Sequence, residues 1–252
     1  MDEDAYEKER VLIEPRRRKG EPPVSPRVIL TFTPVELRLA LQALDLEGSK
    51  GRTLDLSQVY SPGHERKGPD LIGPAMGAPT AVFLLERIIA LGGRTILTLG
   101  TCGSLQPDLP VGEMVLPVEA LSEEGTSVHY GLHGSIARPL PGLYSGLEKF
   151  LTEKGLPFRK GRIWTTDAPF RETVEKVSRY RDRGILAVDM ETSALMTASA
   201  FRGVSLAGLL VVSDELGSLK WRPGFTEASF LSAFQRAARL LMDFLAEETD
   251  VL

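Results

Sequence analysis

The apolar positions of this chain recur with two different periods. Short runs rich in Val, Ile and Leu read as buried strands, and longer stretches with apolar residues three or four apart read as helices. Order begins at Val28-Ile29-Leu30, a strand. Thr33-Pro34 then opens a helix: proline suits a first helical turn, and Val35, Leu37, Leu39, Ala40, Leu41 and Leu44 give a broad apolar face. Residues 47–70 are glycine-rich and polar and predict only a weak strand near Leu54 to Tyr60. A helix from Pro79 to Leu91 carries Val82, Leu85, Ile88 and Ile89 on one face and stops at Gly92-Gly93. Thr95 to Leu99 predicts a buried strand ending in the loop Gly100-Thr101-Cys102-Gly103-Ser104, and Glu113 to Val118 predicts another strand. Residues 121–141 read as loop. Beyond them the pattern predicts a helix from Leu143 to Lys154, a strand from Phe158 to Trp164, a helix from Arg171 to Arg181 and a strand over 185–188. A helix over 191–202 and a long apolar strand, Val204 to Val212, come next. Thr226 then caps a last helix with Phe230, Phe234, Ala238, Leu241 and Leu245 inward.

Strands and helices alternate throughout, which predicts one α/β domain over residues 27–252 with a largely parallel sheet. Residues 1–26 are charged and proline-rich around Arg16-Arg17-Arg18-Lys19. They read as a solvated arm, or one packed on a neighbouring subunit, rather than as a nucleic-acid patch: 34 acidic against 30 basic residues leave a net charge of -4. The single cysteine, Cys102, excludes an intramolecular disulfide and suits a reducing compartment. No apolar run approaches the roughly 18 residues that span a bilayer, and the N-terminus lacks the apolar stretch of a secretory signal. The expectation is a cytoplasmic protein that engages neither membrane nor nucleic acid.

Several predicted strands end in polar residues, at Thr101, Asp167, Asp189 and Asp214. Strand ends of one sheet converge, and ligands of open α/β sheets bind there. The run Ile185-Leu186-Ala187-Val188 delivers Asp189-Met190-Glu191 to such an end. Alone, that acidic pair fits a helix cap as well as a site for a polyhydroxylated ligand. The Thr101 loop offers backbone N–H groups and hydroxyls to an anion, and equally fits a tight turn. Asp214 closes an apolar strand, where partial desolvation suits a general acid; a capping aspartate is the alternative. Phe170 can stack on a planar base or pack in the core. Cys102 reads as a small buried thiol, and His64, His129 and His133 have no metal-ligand spacing, so no metal is expected. Neither a Gly-x-Gly-x-x-Gly turn nor a Walker motif is present, which argues against a dinucleotide-dependent oxidoreductase and predicts no cofactor.

Taken together, three stretches resemble the nucleoside phosphorylase family, which contains purine nucleoside and uridine phosphorylases and the methylthioadenosine/adenosylhomocysteine nucleosidases. They are Leu99-Gly100-Thr101-Cys102-Gly103-Ser104-Leu105-Gln106-Pro107, continuing to Val111-Gly112-Glu113; Val188 to Leu195; and Val212-Ser213-Asp214. Gly77-Ala78-Pro79-Thr80 fits as well. The resemblance implies a single three-layer domain with a mixed central sheet flanked by helices, in a homo-oligomer of two to six subunits, cleaving a nucleoside N-glycosidic bond. It implies that Met190 packs under the ribose and Glu191 binds its hydroxyls, that Asp214 is the general acid at the purine N7, and that Cys102, Gly103, Asp167, Phe170 and Ser213 line the base pocket. The Gln and Arg by which uridine phosphorylases read uracil are replaced after Phe170 by Arg171-Glu172-Thr173, which favours a purine-type base.

Two family arginines that hold phosphate are also replaced, by Thr98 and Glu36. Glu36 beside an anion repels it, whereas the family's nucleosidases carry a glutamate near this place as general base. Thr98, Thr101 and Ser104, with Arg66 from a neighbouring subunit, remain candidates for a phosphate or water site. The resemblance therefore implies ribosyl transfer to phosphate, with two alternatives: hydrolysis using Glu36 as base, or a catalytically silent nucleoside-binding protein.

Overall fold

The strands of the described residues join in one mixed sheet. The computed structural model describes residues 11–62 and 68–247; His64 and Arg66 lie outside the described residues. β1 (Arg27–Thr31), β4 (Asp70–Gly73), β5 (Thr95–Ser104) and β10 (Ser205–Glu215) form a parallel spine in the order β4-β1-β5-β10. β2 (Arg52–Leu54) and β3 (Ser57–Tyr60) add an antiparallel edge to β4. On the other side β6 (Met114–Glu123) pairs antiparallel with β10 and parallel with β8 (Arg159–Thr166). β8 pairs parallel with β9 (Ala187–Asp189), and β9 returns antiparallel to the end of β5. The pairings β5-β10-β6-β8-β9-β5 thus close a ring, and the two-residue strands β7 (Ile136–Ala137) and β11 (Arg222–Pro223) attach to β6 and β10.

The helices are α1 (Pro34–Ala43), α2 (Ala78–Ala90), α3 (Leu143–Glu153), α4 (Val174–Arg181), α5 (Thr192–Arg202) and α6 (Ala228–Glu247). They flank the sheet, α1 against α6 and α2 against α5. On α6, Phe230, Phe234, Ala238, Leu241 and Leu245 are all buried, as the spacing predicts. The helix starts at Ala228, two residues beyond the expected Thr226 cap.

Three local differences from the sequence pattern have physical causes. The stretch from Gly100 to Ser104 is not a loop; it is the second half of β5. Parallel pairing with β10 continues to Ser104, and at Gly100 a side chain is excluded because its Cβ would stand 2.7 Å from the Phe32 ring. Glycine inside a strand here marks close approach rather than a turn. The single weak strand near Leu54 to Tyr60 is a hairpin, turned at Asp55 with φ 53°. Within 121–141, β6 runs on to Glu123, a 3-10 turn spans Ser127–Tyr130, and β7 follows.

The described part of the arm lies on its own chain. Val24 is buried and its N–H donates to the Leu91 carbonyl. Arg87, on α2, donates to Glu21 at 2.5 Å, to Asp55 at 2.9 Å and to the Arg16 carbonyl at 2.7 Å.

Candidate active site

The C-terminal ends of β5, β9 and β10, with the start of α1, enclose a cleft of about 470 Å³, a size that suits a small organic ligand. Five carboxyl side chains line it, Glu36, Glu172, Asp189, Glu191 and Asp214, and its described lining contains no lysine or arginine.

Glu36 enters as part of the α1 N-terminus. Thr33 is the N-cap, its hydroxyl accepting from the Glu36 N–H at 3.2 Å, while Glu36 Oε2 accepts from the N–H groups of Thr33 and Phe32 at 2.7 and 2.9 Å. This reciprocal capping satisfies donors that a helix start leaves open. Oε1 faces the cleft and accepts from the Thr101 hydroxyl at 2.8 Å. Burial raises the carboxyl above the ordinary glutamate range, against the pull of these donors.

The acidic pair at the end of β9 divides its labour. Asp189 is fully engaged in local structure: Oδ1 accepts from Thr165 Oγ1 at 2.7 Å, and Oδ2 from the Thr192 N–H and hydroxyl at 2.9 and 2.6 Å. It holds the first turn of α5 on the sheet, so the cap reading describes Asp189. Glu191 instead reaches across the cleft, where Oε1 accepts from the Gly77 N–H at 2.6 Å. Burial, then the charges of Asp189 and Glu36, push Glu191 well above its ordinary range. Burial also raises Asp189, opposed by the Thr165 and Thr192 donors.

Asp214 owes its place to a β-bulge. β10 keeps register with β5 up to Val212, opposite Cys102, and then slips so that Asp214 stands opposite Gly103. Bulges re-aim side chains next to sites, and here both Ser213 and Asp214 reach the cleft. Asp214 Oδ1 accepts from Ser213 Oγ at 2.7 Å and Oδ2 from Trp221 Nε1 at 2.9 Å. Gly103 makes room: a Cβ there would stand 2.5 Å from Leu216 Cδ1 and 3.1 Å from Asp214 Oδ2. Cys102 lines the cleft as a buried thiol, pushed well above its ordinary value by burial and by the Asp189 and Asp214 charges.

The structure therefore gathers Glu36, Thr101, Cys102, Gly103, Phe170, Met190, Glu191, Ser213 and Asp214 around one cavity. Three expected members stand elsewhere. Thr98 lies three residues back along β5, about 10 Å at strand rise, buried against Gly208. Ser104 is fully enclosed where β9 and β10 flank the end of β5, and its hydroxyl has no hydrogen-bond partner among the described residues. Asp167 turns away after β8, and its Oδ2 accepts from the Gly125 N–H at 2.9 Å.

The sequence pattern missed Phe32, Met76, Glu172 and Trp221, all of which line the cleft. Glu172 follows the 3-10 turn Pro169–Arg171, and burial, then the Asp214 charge, pushes it up to about 7. Trp221 comes from the loop after β10, which a local pattern does not place. Among the described residues no group of His, Cys, Asp and Glu is arranged to hold a metal ion, and no helix is long and apolar enough to cross a membrane.

Comparison with known proteins places the chain in a family. The model of the Phosphorylase superfamily matches residues 26–247. A Bacillus cytotoxicus protein named purine nucleoside phosphorylase DeoD-type is 33% identical over 147 residues, 57% of this chain and 62% of that protein. The chain thus aligns with somewhat less than two thirds of the length of such curated relatives. Among solved structures, purine nucleoside phosphorylase from Toxoplasma gondii in complex with immucillin-H superposes with a TM-score of 0.79 at 21% identity, covering 94% of this chain and 96% of that one. AMP nucleosidase from Bacteroides thetaiotaomicron does so with a TM-score of 0.69 at 25% identity, covering 89% of each chain.

Proposed function

The chain belongs to the phosphorylase superfamily, and from that premise we propose that it cleaves the N-glycosidic bond of a purine-type nucleoside. One observation carries the reading: Glu36, Glu191 and Asp214, which come from distant parts of the chain, line a single cleft of nucleoside size. Met190 and Glu191 form the sugar end. A carboxylate has two acceptor oxygens and suits two vicinal hydroxyls; Gly77 occupies one side of Oε1 and leaves the rest of the group to the ribose. Asp214, with Ser213, Gly103, Cys102 and Phe170, forms the base end. Bond cleavage develops positive charge on the ribosyl ring, which the surrounding carboxylates stabilise, and a proton delivered to the purine neutralises the leaving base.

Transfer of the ribosyl group to phosphate is the reading that the relatives named purine nucleoside phosphorylase support. In that reading Thr101 contacts the anion, and Arg66 of a neighbouring subunit supplies the missing positive charge. A second reading, transfer to water, is favoured by a specific observation: the acceptor end of the described cleft presents Glu36 and no cation, and Thr101 already donates to Glu36. There Glu36 takes a proton from the attacking water.

We also infer a cytoplasmic homo-oligomer of two to six subunits. Phe170 is fully exposed at the mouth of the cleft, with Trp221 and Val174 exposed nearby, which suits a mouth covered by a neighbour.

The test is a panel of nucleosides incubated with and without phosphate, with free base, ribose and ribose 1-phosphate measured. Phosphate-dependent ribose 1-phosphate supports the first acceptor, and free ribose without phosphate supports the second. Tight binding with no turnover under either condition reduces the protein to a nucleoside-binding module.

A further inference from the structure

Two carboxyls share the base end of the cleft, and their surroundings differ. Both oxygens of Asp214 face donors, Ser213 Oγ at 2.7 Å and Trp221 Nε1 at 2.9 Å. The indole N–H can only donate, so Oδ2 is an acceptor in this arrangement. Glu172 lines the same end beside Phe170, half-buried, and its carboxyl has no hydrogen bond or ion pair with a described residue. Its charged surroundings are Asp214, which repels it, and Lys176 on α4, which attracts it but is already paired with Glu123 at 2.8 Å. The other titrating side chains of the cleft lining, Glu36, Asp189, Glu191 and the Cys102 thiol, supply no positive charge.

We propose that Glu172 is a second general acid of the cleft: beside the Asp214 charge it carries a proton in the free enzyme and supplies it to the leaving base. The assignment rests on the N-glycosidic reading above and deepens it by naming a second catalytic residue. A carboxyl beside a like charge keeps its proton to higher pH, and among the described residues Glu172 has no hydrogen-bond donor to oppose that. Burial and the Asp214 charge push it up to about 7, where a general acid works well at neutral pH. In the step itself the glycosidic electron pair goes to the base nitrogen, and the Glu172 proton moves to the base. The base leaves neutral. The ribosyl carbon takes an oxygen of phosphate or water, and the carboxylate left behind regains a proton from solvent once the base departs.

The test measures kcat/KM against pH for wild type, Glu172→Gln and Asp214→Asn with two ribosides. One is a purine nucleoside, whose base needs a proton to leave; the other is 4-nitrophenyl riboside, whose phenolate leaves without one. Carbon NMR of carboxyl-labelled glutamate in the same proteins follows the titration directly. In wild type, purine release should fall above about pH 7 while one glutamate carboxyl titrates in the same range. Glu172→Gln should remove both that limb and that signal and lower purine release by about 10²-fold or more, with the loss largely confined to the purine substrate. Nitrophenyl turnover also reports that the variant is folded. Asp214→Asn should move the Glu172 titration down, toward the ordinary glutamate range, because the like charge is gone. A Glu172→Gln enzyme with the wild-type purine rate and profile overturns the proposal, as does the absence of a Glu172-dependent signal near pH 7. A wild type that shows the titration yet releases nothing from either riboside overturns the catalytic role through the N-glycosidic reading itself, and the NMR signal separates that failure from a failure of the Glu172 assignment.

Discussion

Thr101 Oγ1 donates to Glu36 Oε1 across 2.8 Å, joining the second half of β5 to the first turn of α1. A hydroxyl committed to a buried carboxylate is not free to donate to an anion, and Glu36 repels one. The pair therefore makes the acceptor experimentally separable. If water attacks, Glu36→Gln should lower kcat by about 10²–10⁴-fold with little change in KM, the range for loss of a general base. Thr101→Val, which removes a donor but not the base, should cost less. If phosphate attacks, Glu36→Gln should raise the apparent affinity for phosphate instead. Steady-state kinetics with phosphate varied distinguish the two.

Glu191 is held at a cost to the fold. Its protonation is raised by burial and by Asp189 and Glu36, so the folded state binds a proton more tightly than the unfolded chain does. Stability then falls as pH rises from the ordinary glutamate value of about 4.3 toward the raised folded value. Glu191→Gln keeps an acceptor for the Gly77 N–H and removes the charge. The variant should gain stability relative to wild type as pH rises above the ordinary glutamate range, since it lacks this one raised carboxyl. At the same time it should lose nucleoside cleavage. Urea melts at two pH values and an activity assay check both halves; an equally active variant contradicts the sugar-clamp role, and one that gains nothing on wild type with rising pH contradicts the raised carboxyl.

Gly103 is the gap through which Asp214 and Leu216 approach β5. An added methyl would stand 2.5 Å from Leu216 Cδ1 and 3.1 Å from Asp214 Oδ2. Gly103→Ala should therefore push the Leu216 and Asp214 side chains from their places. Its activity loss should exceed about tenfold, because catalytic groups tolerate displacements of only about 1 Å. The stability loss should stay within the usual 1–3 kcal/mol of overpacking. Activity and thermal melts of the same sample separate the two effects.

Most of the helices and the spine of the sheet were legible because their apolar periods are strong; α6 shows all five predicted inward residues buried. The glycine-rich stretch was misread because glycine marks both turns and close approaches, and only the Phe32 ring against Gly100 decides between them. That error carried over to the site. As a loop, Gly100 to Ser104 can converge on one ligand beside the strand end at Thr98; as a strand flanked by β9 and β10, the stretch leaves Thr98 deep in the sheet and encloses Ser104. Thr33 and Glu36 stand three apart, the spacing of a capping box, and that signal was available in the sequence. Glu172 and Trp221 carried no local signal: they reach the cleft from separate loops, and Trp221 meets Asp214 only because of the bulge at Ser213.

Arg87 ties the arm to α2 through Glu21 and the Arg16 carbonyl, and it also pairs with Asp55 of the β2–β3 turn. These are charge-assisted contacts, each worth about 1.5–3 kcal/mol when well formed. Arg87→Met keeps most of the buried stem but loses every donor. The arm carries its own reporter, since Arg16-Arg17-Arg18-Lys19 is a run of trypsin sites. Cleavage of a transiently opened segment follows the population of the open state when opening is fast. Losing even one such contact should therefore raise trypsin cleavage in this run by about tenfold or more, at 1.4 kcal/mol per decade. Mass spectrometry of timed digests reads the rate. The core helices should stay intact over the same interval, because the change is confined to the arm and its anchor; cleavage at the wild-type rate would mean that Val24 and its bond to the Leu91 carbonyl hold the arm alone.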